Sequence, residues 1–155
     1  MLSVIMKKVT LPVRFGIAIS GSLIAYFLIL SLFNLHTSPI YSLFNSVITA
    51  FGIYEAIKSH KLREASKFNY TTGFTTGIVT GFVATIIFTV FFTFYATEVN
   101  TDFLIKLLEV FKGGYNIGIG SVAFGVAIMG FTTTVILTLA FMQLFKNSRN
   151  IPQNK

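Results

Sequence analysis

Four long apolar stretches alternate with short polar, mostly basic ones. They run from about Phe15 to Leu35, Ile40 to Ile57, Phe68 to Thr97 and Tyr115 to Phe145. About 20 apolar residues in a helix cover the hydrocarbon core of a bilayer. Each stretch therefore predicts a transmembrane helix. The second is near the minimum length, while the third and fourth have residues to spare for tilt. Asn34 to Pro39 is short enough for a tight hairpin between the first two spans. The charged run from Lys58 to Lys67 either extends the second helix past the membrane or turns.

Glu98 to Gly114 carries a shorter pattern. Thr101 and Asp102 suit a helix start. Phe103, Leu104, Leu107, Leu108 and Phe111 share one face, Asp102, Lys106 and Glu109 fall away from it, and Gly113-Gly114 ends it. This predicts a short amphipathic helix, about 101–112, lying on the outer membrane interface. A plain connection packed on the bundle is the alternative.

Within the third stretch every fourth residue is small: Gly73, Gly77, Gly81, Thr85, Thr89, Thr93 and Thr97. Lipid tails are as apolar as side chains, so helices in a membrane associate through close backbone approach and hydrogen bonding, which small residues permit. A step of four residues turns the helix about 400°, so the row drifts about 40° per step. The glycine part and the threonine part point about 140° apart on that geometry. The expectation is an inner glycine face meeting another helix of the chain, and an outer threonine face meeting a different helix, a second protomer or a polar path. Shorter small-residue rows occur in the other spans: Gly16 with Ser20 and Gly21 with Ala25, then Ser42, Ser46 and Ala50, and finally Ser121 with Gly125 and Gly130, Thr134 and Thr138.

Composition agrees with a membrane. Of 155 residues 54% are hydrophobic and 11% charged, against about 25% charged in soluble domains. No cysteine is present, which removes disulfides, thiolate metal sites and cysteine nucleophiles. The formal net charge of +7 would suit a nucleic acid, but the charges are distributed by topology. Lys7, Lys8 and Arg14 precede the first span, Lys58, Lys61, Arg63 and Lys67 separate the second from the third, and Lys146, Arg149 and Lys155 follow the fourth. Only Lys106 and Lys112 fall on the other side. Lysine and arginine near span ends stay cytoplasmic. The fold expected is an all-α, four-transmembrane-helix bundle in one domain, with both termini inside. The apolar start reads as an uncleaved first span, since no small-residue cleavage site follows it. The basic surplus needs no nucleic acid partner and favours anionic headgroups.

Candidate chemistry is sparse. Glu55 is the one acid inside an apolar stretch. An ionisable residue in a membrane is a functional candidate by default, but Glu55 lies near a span end with Lys58 three residues on, where an interfacial pair is the better reading. Asn45 is nearer mid-span and, with Thr49 at i+4, suits hydrogen bonding between helices. The threonine hydroxyls can bond their own i−4 carbonyls. His36 and His60 fall on opposite sides of the membrane. No zinc-protease, nucleophile-elbow or phosphate-loop motif is present, so no catalytic residue, cofactor or metal site is expected.

Several residues in the middle of the chain form a further pattern: Ile53-Tyr54, Ile57-Lys58 through Arg63-Glu64, Phe68-Asn69-Tyr70, Gly73 and Gly77, and Asp102-Phe103. In this pattern the chain resembles a family of small, uncharacterised bacterial inner-membrane proteins, a domain of unknown function. It departs from that pattern in lacking a glycine near Ala65-Ser66 and a proline near Val99-Asn100-Thr101. The resemblance implies a four-helix fold in a bacterial inner membrane and carries over no activity and no functional residue.

The function expected is a non-enzymatic membrane module, accessory, assembly or envelope-associated, acting through helix packing. Its partners would be the bilayer and a membrane protein or a second copy of itself. The alternative is a small transporter or channel with a polar path along the third span, using Glu55, Asn45 and the threonine row.

Overall fold

A computed structural model describes residues 2–110 and 117–146. Helix α1 spans Leu2–Leu32, α2 Pro39–Glu64, α3 Tyr70–Phe94, α4 Asp102–Val110 and α5 Ile119–Phe145. No strand occurs among the described residues. Four helices are long and apolar enough to cross a membrane, over Thr10–Leu32, Pro39–Lys67, Tyr70–Val99 and Ile119–Phe145. Gly113, Gly114, Tyr115, Arg149 and Lys155 lie outside the described residues, as do Phe111 and Lys112 at the end of the short amphipathic segment.

Local chemistry sets the helix ends. α1 closes in a Schellman turn: Leu35 N–H donates to the Leu30 carbonyl at 2.9 Å and Asn34 N–H to Ser31 at 3.1 Å. Asn34 sits there at φ 55°, a left-handed conformation that asparagine tolerates better than most residues. Pro39 is then the first residue of α2, where its fixed φ suits a helix start and its missing N–H costs nothing. α2 continues through Lys61 and Arg63 to Glu64 and ends at Ala65, at φ 44°. α3 opens on a capping box: the Asn69 side chain accepts from Thr72 N–H at 2.9 Å, and Asn69 N–H donates back to Thr72 Oγ1 at 3.3 Å. Its last turn widens into a π turn over Tyr95–Val99, with Asn100 N–H on the Tyr95 carbonyl.

α3 packs against all three other spans, most extensively against α1 and α5, which flank it. Towards the basic end of the bundle, where α2 joins α3, the core is built from Ile19, Leu23, Ile53, Ile57, Phe68, Ala84 and Met142. At the opposite end it is mostly aromatic, with Phe27, Phe92, Tyr95 and Phe103 beside Ala96. Phe103 is 1% exposed and ties α4 to the bundle, while Asp102, Lys106 and Glu109 face outward. The outer surface is apolar as well: Ile17, Leu28, Phe44, Phe51, Ile86 and Phe124 are exposed along the spans. A surface this apolar belongs in lipid. α5 is the span least covered by the rest of the chain.

Candidate functional site

The small-residue row of α3 faces α5 over its first four members. Gly73 lies against Met142, Gly77 against Thr138, Gly81 against Thr134, and Thr85 against Gly130. The two helices thus run antiparallel, with each step of four on one matched by four on the other. A Cβ on Gly77 would stand 2.5 Å from Thr138 Cγ2, and one on Gly130 would stand 2.6 Å from Thr85 Cγ2. Real Cβ atoms do not approach so closely, so the backbones meet where only glycine fits. The face turned to α5 therefore includes Thr85 and does not stop at the glycines. Two further seams use the same device: Gly16 of α1 lies against Val83 and the Thr80 carbonyl, and Gly52 of α2 lies against Ile19.

Beyond Thr85 the row changes character. Thr93 Oγ1 donates to the Thr89 carbonyl at 2.9 Å, and Thr97 Oγ1 to the Thr93 carbonyl at 3.1 Å. Thr93 is half-buried and Thr97 exposed. Thr134 Oγ1 bonds the Gly130 carbonyl in the same way. These hydroxyls are satisfied by their own helix and need no neighbour. The Thr80, Thr89 and Thr138 hydroxyls are buried without a hydrogen-bond partner among the described residues.

Glu55 pairs with Lys58 at 3.4 Å, with 31% and 45% of the two side chains exposed. Such a pair contributes little to stability. Asn45 is not hydrogen-bonded as its spacing suggested. Thr49 donates to the Asn45 main-chain carbonyl at 2.8 Å, and the buried Asn45 Oδ1 has no partner among the described residues. Glu55 and Asn45 do not join the α3–α5 seam. Tyr26 of α1 donates to the Tyr41 carbonyl of α2 at 3.0 Å.

Two features had no signal in the sequence. Lys61 Nζ donates to the Phe145 carbonyl at the end of α5, at 3.2 Å, and stands 5.7 Å from the ring centroids of Phe68 and Phe145. It caps a helix 84 residues away. His36, in the short connection after α1, is only 8% exposed and stacks on Phe103 at 4.9 Å. Phe27 and Tyr95 meet it edge-on, and neither ring nitrogen has a hydrogen-bond partner among the described residues. Burial lowers its pKa, and Lys106 on α4 lowers it further. The nearby Ser31 and Tyr95 hydroxyls share a hydrogen bond at 3.0 Å. A lone histidine between Leu35 and Thr37 gives no hint of such a box.

A bundle of four membrane-length helices, joined by close glycine contacts and sheathed in apolar side chains, defines a multi-pass membrane protein. Residues 14–116 match the family described as "Protein of unknown function (DUF4199)", and the chain belongs to that family. The matched region takes in α2, α3, α4 and most of α1 and ends before α5. No curated protein and no solved structure matches the chain.

Proposed function

We propose that this protein is a non-enzymatic module of a bacterial inner membrane, with both termini in the cytoplasm, and that it acts by docking another transmembrane helix. The observation that carries the reading is on α1. Gly21, Ser22 and Ala25 are exposed, and a Cβ on Gly21 would meet nothing within 4 Å. The glycines at 16, 52, 73, 77, 81 and 130 are each filled by a side chain or carbonyl of this chain. Gly21 offers the same close approach and leaves it unused, as do Gly118, Gly120 and Gly125 at the start of α5. In lipid such a face is where a helix from a membrane-protein partner or a second copy would sit.

Other features support the reading. Glu55 is engaged at the half-exposed surface by Lys58. Thr85 is packed on Gly130, and Thr93 and Thr97 are bonded to their own helix. Side chains so occupied favour dry contact over a polar path along α3.

Two leucine substitutions separate folding from docking. Gly77→Leu drives a side chain into Thr138 and Ile57 and is expected to lower the stability of the monomer. Gly21→Leu enters open space and is expected to leave stability unchanged while abolishing crosslinking to a partner or second copy in native lipid. Association that survives Gly21→Leu would sink the proposal.

A further inference from the structure

The basic end of the bundle carries a furrow between α1 and α2. It is lined by Thr10, Leu11, Arg14, Phe15, Ala18 and Arg63, with a volume of about 280 Å³. Arg14 comes from α1 and Arg63 from the far end of α2, so the fold sets on one furrow two arginines separated by most of two helices. We propose that this furrow is a binding site for the phosphate of an anionic phospholipid, held between Arg14 and Arg63. The inference does not depend on the helix-docking reading.

Three observations carry it. The first is the state of the two arginines. Both are exposed, and neither makes an ion pair or hydrogen bond with a described residue. Of the other basic residues at this end, Lys58 is engaged with Glu55 and Lys61 with the Phe145 carbonyl, while Lys67 and Lys146 are exposed and do not line the furrow. Two like charges lining one furrow repel, and an anion between them converts that repulsion into attraction. The planar guanidinium fork matches two phosphate oxygens at once, which an ammonium does not.

The second is the apolar wall beside the arginines, of which Phe15 and Ala18 lie deeper in the span than Arg14. Leu11, Phe15 and Ala18 follow one face of α1, and they pass from buried through half-buried to exposed. Ala18, the lining residue deepest in the span, is small and exposed. A charged mouth above an apolar ramp fits an amphiphile, whereas inorganic phosphate has no use for the ramp.

The third is size. Pockets that enclose a small molecule run from about 300 to 1,000 Å³, and this furrow is slightly smaller and open-sided. It has room for a headgroup whose chains remain in the bilayer. Basic pockets between helices at the cytoplasmic face are where such headgroups are held.

The test uses the full chain, released from vesicles that mix phosphatidylglycerol with phosphatidylcholine and examined by native mass spectrometry. Wild type is expected to retain phosphatidylglycerol in preference to phosphatidylcholine by about tenfold. Arg14→Gln/Arg63→Gln is expected to bring the ratio close to one. Lys67→Gln/Lys146→Gln removes two exposed charges from the same end of the bundle and is expected to keep the preference. Arg14→Lys/Arg63→Lys keeps the charge, is expected to retain part of the preference, and serves if the glutamine variant does not fold. An equal loss in both glutamine variants would mean diffuse surface attraction and would overturn the site. So would a wild type without preference, a lysine variant indistinguishable from wild type, or displacement of the lipid by inorganic phosphate.

Discussion

At Gly77 a single added carbon has nowhere to go, because Thr138 Cγ2 and Oγ1 and Ile57 Cδ1 already surround the position. Gly77→Ala is expected to lower stability by about 1–3 kcal/mol, the usual cost of overpacking a core. Thr138→Ala in the same chain removes the opposing Cγ2 and Oγ1 and is expected to recover at least half of that loss, read from unfolding in mixed micelles. Thr138→Val alone replaces an unpartnered buried hydroxyl with a methyl and is expected to be neutral or to stabilise by about 1 kcal/mol. A clear loss would show that the hydroxyl is bonded. Ala65 is the other strained position, at φ 44° and ψ −110°. Ala65→Gly is expected to gain about 1 kcal/mol, measured the same way. The sequence hinted at this turn, since the resemblance placed a glycine near Ala65-Ser66, but a backbone angle is not written in a lone alanine. The small row was legible for a simpler reason: steric size is a property of the residue itself.

Among the elements, α4 was legible as an amphipathic segment, because helical period alone separates Phe103, Leu104, Leu107 and Leu108 from Asp102, Lys106 and Glu109. What holds it was not legible, since the box around His36 draws on three distant parts of the chain. Facing the imidazole are Phe27 from α1, Tyr95 from the π turn and Phe103 from α4, with the Lys106 charge acting from α4. Asp102 and Glu98 are exposed on the same elements. In the unfolded chain the ring takes up its proton near pH 6.5, whereas in the box its pKa is lowered. Below about 6.5 the unfolded state therefore binds more protons. Stability is complete above that pH and falls as the pH drops towards the folded-state pKa. The unfolding midpoint is expected to fall between about pH 7.5 and 5.5 in wild type and to change less in His36→Phe. An equal slope in both would place the titrating group elsewhere. Lys61 teaches the same lesson, since its bond to the last turn of α5 depends on how the helices are arranged.

For the whole molecule, four spans were readable from hydropathy and an orientation was suggested by the lysines and arginines, but the neighbours of each helix were not. Nothing in the pattern says that α3 touches every other span, or that Thr85 sides with the glycines against α5. The proposed orientation is open to test because the chain has no cysteine. Ser66→Cys and Thr101→Cys, both at exposed positions, are expected to label with a membrane-impermeant maleimide from the cytoplasmic and outer sides respectively, and the reverse pattern would invert the topology. The α3–α5 seam also settles a question of alignment. Three of its pairs set a glycine of α3 against a larger residue of α5, and the fourth, Thr85 with Gly130, reverses the roles. Slide α5 by one turn in one direction and Thr85 collides with Thr134. Slide it in the other and Gly81 faces Gly130 across a void. The reversed pair thus works as a key that admits one register only. Exchanging the two residues, Thr85→Gly with Gly130→Thr, would conserve every atom in the seam and yet leave α5 free to settle a turn away.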